Sequence, residues 1–379
     1  MPAPPGPPPF HPNWTPKPIA TYWDDLLEGV KTPDDWTKRR AEIKARFLDL
    51  LRDGAKPKVP PLQLEVEREW DAGGFTVRRI TYNVEADERA TAYVGIPQGS
   101  PPPGGFPAVL CIQGTTSWGA RQTLGIPPDP DEKLHGKPTI NGNDYARALV
   151  RAGFVTISPE HFNCARRCPP EGQFDTAQFY KRHPNWTATG KSTFENHIAL
   201  NVLETFPFVN KTKFGATGYS LGGTNSTTIS AYDERIQCAA PGGVAMTFNN
   251  WEEAHHWSRD YWYIYFPQLR ARMLCGERIE CDQPEWFSLI APRPCMEFFG
   301  TNDTSPGAQA HRVTMHLKLA ELYRLLGAED RHAYMALGDG HSIPRVHTVA
   351  LVAWMERWLK YDGDPRGGWD PTPARRAEA

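Results

Sequence analysis

The chain has 379 residues, of which 42 are basic and 44 acidic, for a formal net charge of −2. That near-balance, with no long basic run, offers no footprint for a nucleic-acid partner. With 40% hydrophobic and 11% aromatic residues the chain is expected to fold around a large core, and no apolar run approaches the length of a membrane span.

The opening MPAPPGPPPF has neither the basic n-region nor the apolar h-region of a signal peptide. A cytoplasmic location is therefore expected, although a mature secreted form would read the same. Residues 1–18 read as a proline-rich tail and 19–60 as a helical extension. Thr32-Pro33-Asp34-Asp35 is a helix start, with an N-cap, proline at the first helical position and acids in the first turn. Trp36, Ile43, Phe47, Leu50 and Leu51 recur at helical spacing until Gly54, giving that helix an apolar face to bury.

From residue 62 the period changes. LQLEVEREW, FTVRRITYNVE and TAYVGIP alternate or are rich in β-branched residues, and read as successive antiparallel strands. PAVLCIQG (107–114) is a short apolar run ending in glycine, the pattern of a strand buried on both faces. Helix and strand then alternate. NDYARALVRAG, FENHIALNVLETF, SLGGTNSTTISAYD, QAHRVTMHLKLAELYRLLG and HTVALVAWMERWLK read as helices. FVTISPE, TKFGATGYS, RIQCAAPGGV, RPCMEFFG and HAYMAL read as strands. The alternation predicts an α/β fold over 61–362, a mostly parallel sheet with helices on both faces, antiparallel strands at its start and a short tail at 363–379.

Three connections, 115–141, 160–193 and 244–290, are too long to be turns and leave from the C-terminal ends of buried strands, where open α/β sheets bind ligands. The last is an insertion holding Trp251, Trp257, Tyr261, Trp262, Tyr263, Tyr265, Phe266 and Trp286. Such a cluster either packs the insertion onto the body or lines a substrate cleft. Seven cysteines show no Cys-x-x-Cys or zinc-finger spacing, so free thiols are expected.

Gly218-Tyr219-Ser220-Leu221-Gly222-Gly223 lies between a predicted strand and a predicted helix. A nucleophile elbow needs small neighbours around a serine in a strained turn. It lifts the hydroxyl above the sheet, at a helix N-terminus whose free N–H groups can hold an oxyanion. A serine hydroxyl needs a base, and His341 in Gly338-Asp339-Gly340-His341 follows the last strand, where this architecture places it. His347 falls in the following helix, and His255 and His256 in the aromatic insertion. The carboxylate that orients the base is expected to be Asp303, after the preceding strand. Asp339 is too close in sequence to His341, and Glu297 lies inside a strand. The order Ser, Asp, His is the one this fold uses. Leu221 and Thr115 are the expected oxyanion donors through their backbone N–H groups, with Thr116 as the alternative to Thr115. Thr116, Tyr219, Trp251, His256 and Trp262 are the candidate substrate-binding residues.

These segments together, CIQGTTSWGA, NGNDYARALVRAGFVTISPE, WTATGKSTFENHIALNVL, GATGYSLGGTNS, LIAPRPCMEFFGTND and GDGH, resemble the acetyl xylan esterase and dienelactone-hydrolase-like branch of the α/β-hydrolases across roughly residues 60–360. The resemblance implies a metal-independent hydrolase, without cofactor, whose triad is Ser220, Asp303 and His341. It suggests short acyl groups, such as acetyl on a sugar. Gln113 stands where many relatives carry histidine, Glu160 where many carry aspartate, and Ser220 in place of the cysteine of true dienelactone hydrolases. The expected partner is a small-molecule or carbohydrate ester, with no nucleic acid and no membrane, and an oligomer is left open. An amidase or peptidase with the same triad, and a binding protein on an inactive hydrolase fold, are the other readings. Arg121, Arg166, Arg167, Lys181, Arg182 and Lys191 in the first two long connections would be the cations for an acidic acyl or uronate group.

Overall fold

The computed structural model describes residues 21–116, 118–127, 143–244, 246–248, 256–279 and 281–364. The proline-rich start, Trp251, His255 and nearly all of the 363–379 tail lie outside the described residues. Among those described, nine strands form one sheet: β1 (Glu65–Asp71), β2 (Phe75–Glu85), β3 (Glu88–Pro97), β4 (Phe106–Ile112), β5 (Val155–Pro159), β6 (Val209–Tyr219), β7 (Ile236–Gly242), β8 (Cys295–Gly300) and β9 (His332–Leu337). Their order is β1-β2-β3-β5-β4-β6-β7-β8-β9. The pairs β1–β2, β2–β3 and β3–β5 are antiparallel, and every pair from β5 to β9 is parallel. The expected sheet is therefore present, and β4 and β5 are buried at every position, as continuous apolar strands between helical layers should be.

The helices are α1 (Pro33–Leu51), α2 (Tyr145–Arg151), α3 (Ala177–Arg182), α4 (Ala188–Thr205), α5 (Leu221–Tyr232), α6 (Pro267–Cys275), α7 (Gln283–Ser288), α8 (Pro306–Leu325) and α9 (Arg345–Leu359). No helix among the described residues is long and apolar enough to cross a membrane. All seven cysteines are free.

Helix α1 starts as the sequence indicates. The Asp35 N–H donates to the Thr32 hydroxyl at 3.2 Å and the Thr32 N–H to the Asp35 carboxylate at 3.0 Å, closing a capping box. It stops three residues before Gly54, because Arg52 itself takes the left-handed conformation (φ 51°) that ends the helix. Its buried stripe of Trp36, Ile43, Phe47, Leu50 and Leu51 joins the main core. There Phe47 meets Trp286 at 6.2 Å between ring centres, and Arg46 pairs with the buried Glu285 at 2.8 Å. Lys44 reaches the last carbonyls of α5, donating to Ala231 at 2.6 Å and Tyr232 at 2.9 Å. Burial lowers its pKa to about 8, with Arg40 and Arg293 adding to the effect.

Helix α4 begins at Ala188, six residues before the expected Phe194. Thr187 caps it, accepting from the Gly190 N–H at 2.9 Å. The Thr187 hydroxyl also donates to the Leu51 carbonyl at 2.9 Å, and a Cβ on Gly190 would stand 2.4 Å from that carbonyl. The start of α4 is therefore fixed by the end of α1, a contact between distant parts of the sequence.

Candidate active site

Strand β6 runs into α5 through Ser220, which has φ 58° and ψ −123°. This is a sterically costly conformation for a residue with a Cβ. Its neighbours hold it there. The Ser220 N–H donates to the Gly242 carbonyl at 2.9 Å, and its own carbonyl accepts from Thr224 at 2.9 Å. Glycine is obligatory at two positions beside it. A Cβ on Gly218 would lie 2.3 Å from the Gly222 carbonyl oxygen, and one on Gly222 would lie 2.0 Å from that of Ile112. The end of β4 thus presses directly on the elbow, which is why the connection after β4 passes beside the serine.

That connection carries Thr115, which lines the same cavity as Ser220 and Leu221. It is held from below. The buried His161 ring donates from Nε2 to the Gln113 carbonyl at 2.9 Å, and the Gln113 amide contacts Cys164 Sγ at 2.9 Å. Burial lowers the pKa of His161 to about 4, so the ring is neutral and can serve as this donor. Beneath the connection lies Glu160, 1% exposed, whose pKa burial pushes up to about 7 against the pull of Arg121 and Arg166.

Asp303 follows β8 and His341 follows β9. The His341 Nδ1–H donates to both carboxylate oxygens of Asp303, at 2.8 and 2.9 Å. Asp303 is nearly buried while His341 is half exposed, and both line the cavity with Ser220. Asp339 contributes to the turn through its main chain, its carbonyl accepting from the Asn302 N–H at 3.0 Å. Glu297 is fully buried away from His341. It accepts from the Val244 N–H at 3.1 Å and pairs with His316 at 2.7 Å and Arg312 at 3.7 Å. His347 lies in α9, as expected, against Phe298.

The cavity holds about 220 Å³. Its second wall comes from the aromatic insertion, where Trp257, Trp262, Tyr263 and Tyr265 line it together with His256. The other described aromatics of the insertion do not line it. Phe266 and Trp286 pack on each other, and Trp286 on Phe47. Trp262 has φ 56° and is tied to the 160–193 connection. Its Nε1–H donates to Gln173 at 2.8 Å, and its carbonyl accepts from the Thr176 N–H and hydroxyl at 3.0 and 2.7 Å. His256 lies 3.1 Å from the Tyr265 hydroxyl, and desolvation, with Arg259 and His341 adding to it, lowers its pKa.

Two expected substrate contacts are corrected. Thr116 does not line the cavity, because its hydroxyl is taken up by Gln122 and by the Trp118 N–H, 3.2 Å away. Tyr219 is 4% exposed and lies behind the histidine, its ring 4.9 Å from that of His341 and stacked on Phe298 at 6.0 Å.

The six basic residues expected to meet an acidic group are also elsewhere. Lys191, buried in α4, pairs with Glu85, with Glu88 at 2.8 Å and with Glu195 at 2.9 Å. Burial opposes its charge, but Glu195, Glu88 and Glu85 outweigh that and raise its pKa. Arg167 joins this cluster through Glu88 and Glu195, and Arg182 through Glu85 and Asp87. Arg166 pairs with Glu67 at 3.2 Å, Arg121 donates to the Trp118 carbonyl at 2.8 Å, and Lys181 is exposed. Arginines reach the cavity from places the sequence did not mark, Arg259 in the insertion and Arg312 in α8. The one available signal was Arg259 standing among tryptophans and tyrosines. Among the described residues no group of three His, Cys, Asp or Glu side chains converges as a metal site.

The strand order, the serine elbow after β6, and the acid and histidine after β8 and β9 are those of an α/β-hydrolase fold. Residues 135–243, which include the elbow, match the Dienelactone hydrolase family. Over 322 residues, 84% of this chain and all of the other, the sequence is 23% identical to YtaP of Bacillus subtilis (strain 168), a hydrolase by name. A glucuronoyl esterase from Solibacter usitatus has a TM-score of 0.67 at 16% identity, covering 91% of this chain and 98% of that one. A protein from Bacteroides fragilis NCTC 9343 designated an acetyl xylan esterase has a TM-score of 0.63 at 15% identity, covering 86% and 79%.

Proposed function

We propose that the protein is a serine carboxylic ester hydrolase acting through an acyl-enzyme. The observation that carries this reading is one cavity that contains both the strained Ser220 and the His341–Asp303 pair. With Nδ1–H committed to Asp303, the other ring nitrogen of His341 is the unprotonated one, available to accept a proton. It takes that of the Ser220 hydroxyl as the oxygen attacks the acyl carbon. Asp303 stabilises the imidazolium that results. The Leu221 and Thr115 N–H groups hold the tetrahedral oxyanion, Leu221 being the first residue of α5, where backbone donors are unpaired. His341 then gives the proton to the leaving alcohol. Water, deprotonated by the same ring, attacks the acyl-serine, and the proton returns to Ser220 as the acid leaves.

The substrate we propose is a short-acyl ester, of acetyl type, on a carbohydrate or other small alcohol. A cavity of about 220 Å³ favours a small acyl group, and the tryptophan and tyrosine faces of the insertion suit a sugar ring. The test is hydrolysis of p-nitrophenyl acetate, butyrate and octanoate, with fluorophosphonate labelling of the serine. Ser220→Ala is expected to abolish labelling and to lower kcat by about 10⁴-fold or more. A variant that keeps wild-type rates would sink the assignment, and octanoate outrunning acetate would sink the acyl preference.

A further inference from the structure

The guanidinium of Arg259 is held in place before any ligand arrives. Its Nε–H donates to the Tyr263 carbonyl at 2.5 Å, and its Cζ lies 5.0 Å from the Trp262 ring centre and 4.8 Å from that of Tyr265. The adjacent acid, Asp260, is engaged by Arg270 at 3.3 Å, and no carboxylate pairs with Arg259 among the described residues. Arg259 lines the cavity that contains Ser220, and its planar guanidinium offers a fork of N–H donors to a ligand there. Arg312 lines the same cavity with its guanidinium 4.4 Å from the Phe299 ring centre. Among the described residues the acid lining the cavity is Asp303, already bonded to His341, and Arg312 is paired with Glu297. Arg259 is therefore the described charge in the lining that no carboxylate neutralises. An ester with no charge has no use for a half-buried, aromatic-braced arginine, whereas a carboxylate can accept two parallel N–H bonds from it.

We propose that the substrate carries a carboxylate close to its scissile ester, and that Arg259 is the residue that recognises it. This rests on the ester-hydrolase reading and specifies its substrate class. Arg259 is a specificity residue and touches no reacting atom in this scheme.

The test compares esters matched in size and differing in charge. Monomethyl adipate against methyl hexanoate places the anion on the acyl side. The 4-acetoxybenzoate anion against its methylamide places it on the alcohol side. The wild-type enzyme is expected to favour the anionic member of one pair by about tenfold or more in kcat/KM. Arg259→Gln should lose at least about tenfold more on that member than on its neutral partner, mainly in KM, and Arg259→Lys should recover part of the difference. Equal rates within both pairs for the wild type, or equal losses on both members in Arg259→Gln, would overturn the proposal. Binding gives an arm independent of turnover. Adipate should quench tryptophan fluorescence in wild-type protein and in Ser220→Ala at the same concentration, and only at about tenfold higher concentration in Arg259→Gln. Quenching that is identical in all three also overturns it. Loss of all ester hydrolysis and of fluorophosphonate labelling, with the adipate difference retained, would overturn the esterase reading and leave the anion site standing.

Discussion

The two walls of the cavity are built from different materials. The wall that bears Ser220 is made of backbone, with β4 pressed on Gly222, the elbow on Gly218, and Thr115 carried past on the connection between them. The opposite wall is made of side chains, with Arg259 braced by Trp262 and Tyr265 and Trp262 anchored on Gln173 and Thr176. A backbone wall has little freedom to vary, since a single methyl group at Gly222 would meet a carbonyl. A side-chain wall can be rebuilt one residue at a time. The contrast assigns chemistry to the first wall and choice of substrate to the second.

The largest expected effect falls on the first wall. Asp303→Asn should lower kcat by about 10³- to 10⁴-fold on every ester, while Asp339→Asn stays within about threefold. Steady-state kinetics on p-nitrophenyl acetate would check this, and the reverse ranking would transfer the acid to Asp339. Next, Gly222→Ala should destabilise the fold by about 3 kcal/mol through the clash with Ile112. Urea denaturation measures it, and a neutral result would mean that the elbow is looser than its packing indicates.

Glu160, beneath the oxyanion connection, gives a pH test. Its folded pKa of about 7 lies above the ordinary carboxylate value of 4.5, so the native state keeps a proton that the unfolded chain has lost. Stability should therefore fall as pH rises from about 4.5 to 7, by about 3 kcal/mol from this group, and level off above that. Glu160→Gln should remove that component, read as a smaller difference between urea midpoints at pH 5 and pH 8. The smallest effect is expected on the second wall. Trp262→Ala should raise KM by about tenfold with kcat within about threefold, and an equal fall in kcat would blur the division between the walls.

The same division decides what could be read from residues alone. The elbow, Asp303 and His341 were legible as candidates because local pattern and chain order mark them, and the strands around them from period-two or unbroken apolar runs. The start of α4 was not, because Trp186-Thr187-Ala188-Thr189-Gly190 lacks an apolar period. Its helix is stabilised by Leu51, far away in sequence. The basic residues misled for a related reason. Arg167 and Lys191 face Glu85, Glu88 and Glu195, and only the fold brings those acids to them. Thr116 and Tyr219 stand next to catalytic segments in sequence, but one turns into its own loop and the other sits behind the histidine.

Lys44 joins two ends of the molecule. Helix α5 has Ser220 at its head, and at its tail its final carbonyls rest on an amine supplied by α1. Helix α1 is therefore a strut for Ser220, twelve residues of helix away. Trimming the protein back to its sheet would unseat that strut, so loss of activity in such a truncation would report on mechanical support and would not show that the removed segment meets the substrate.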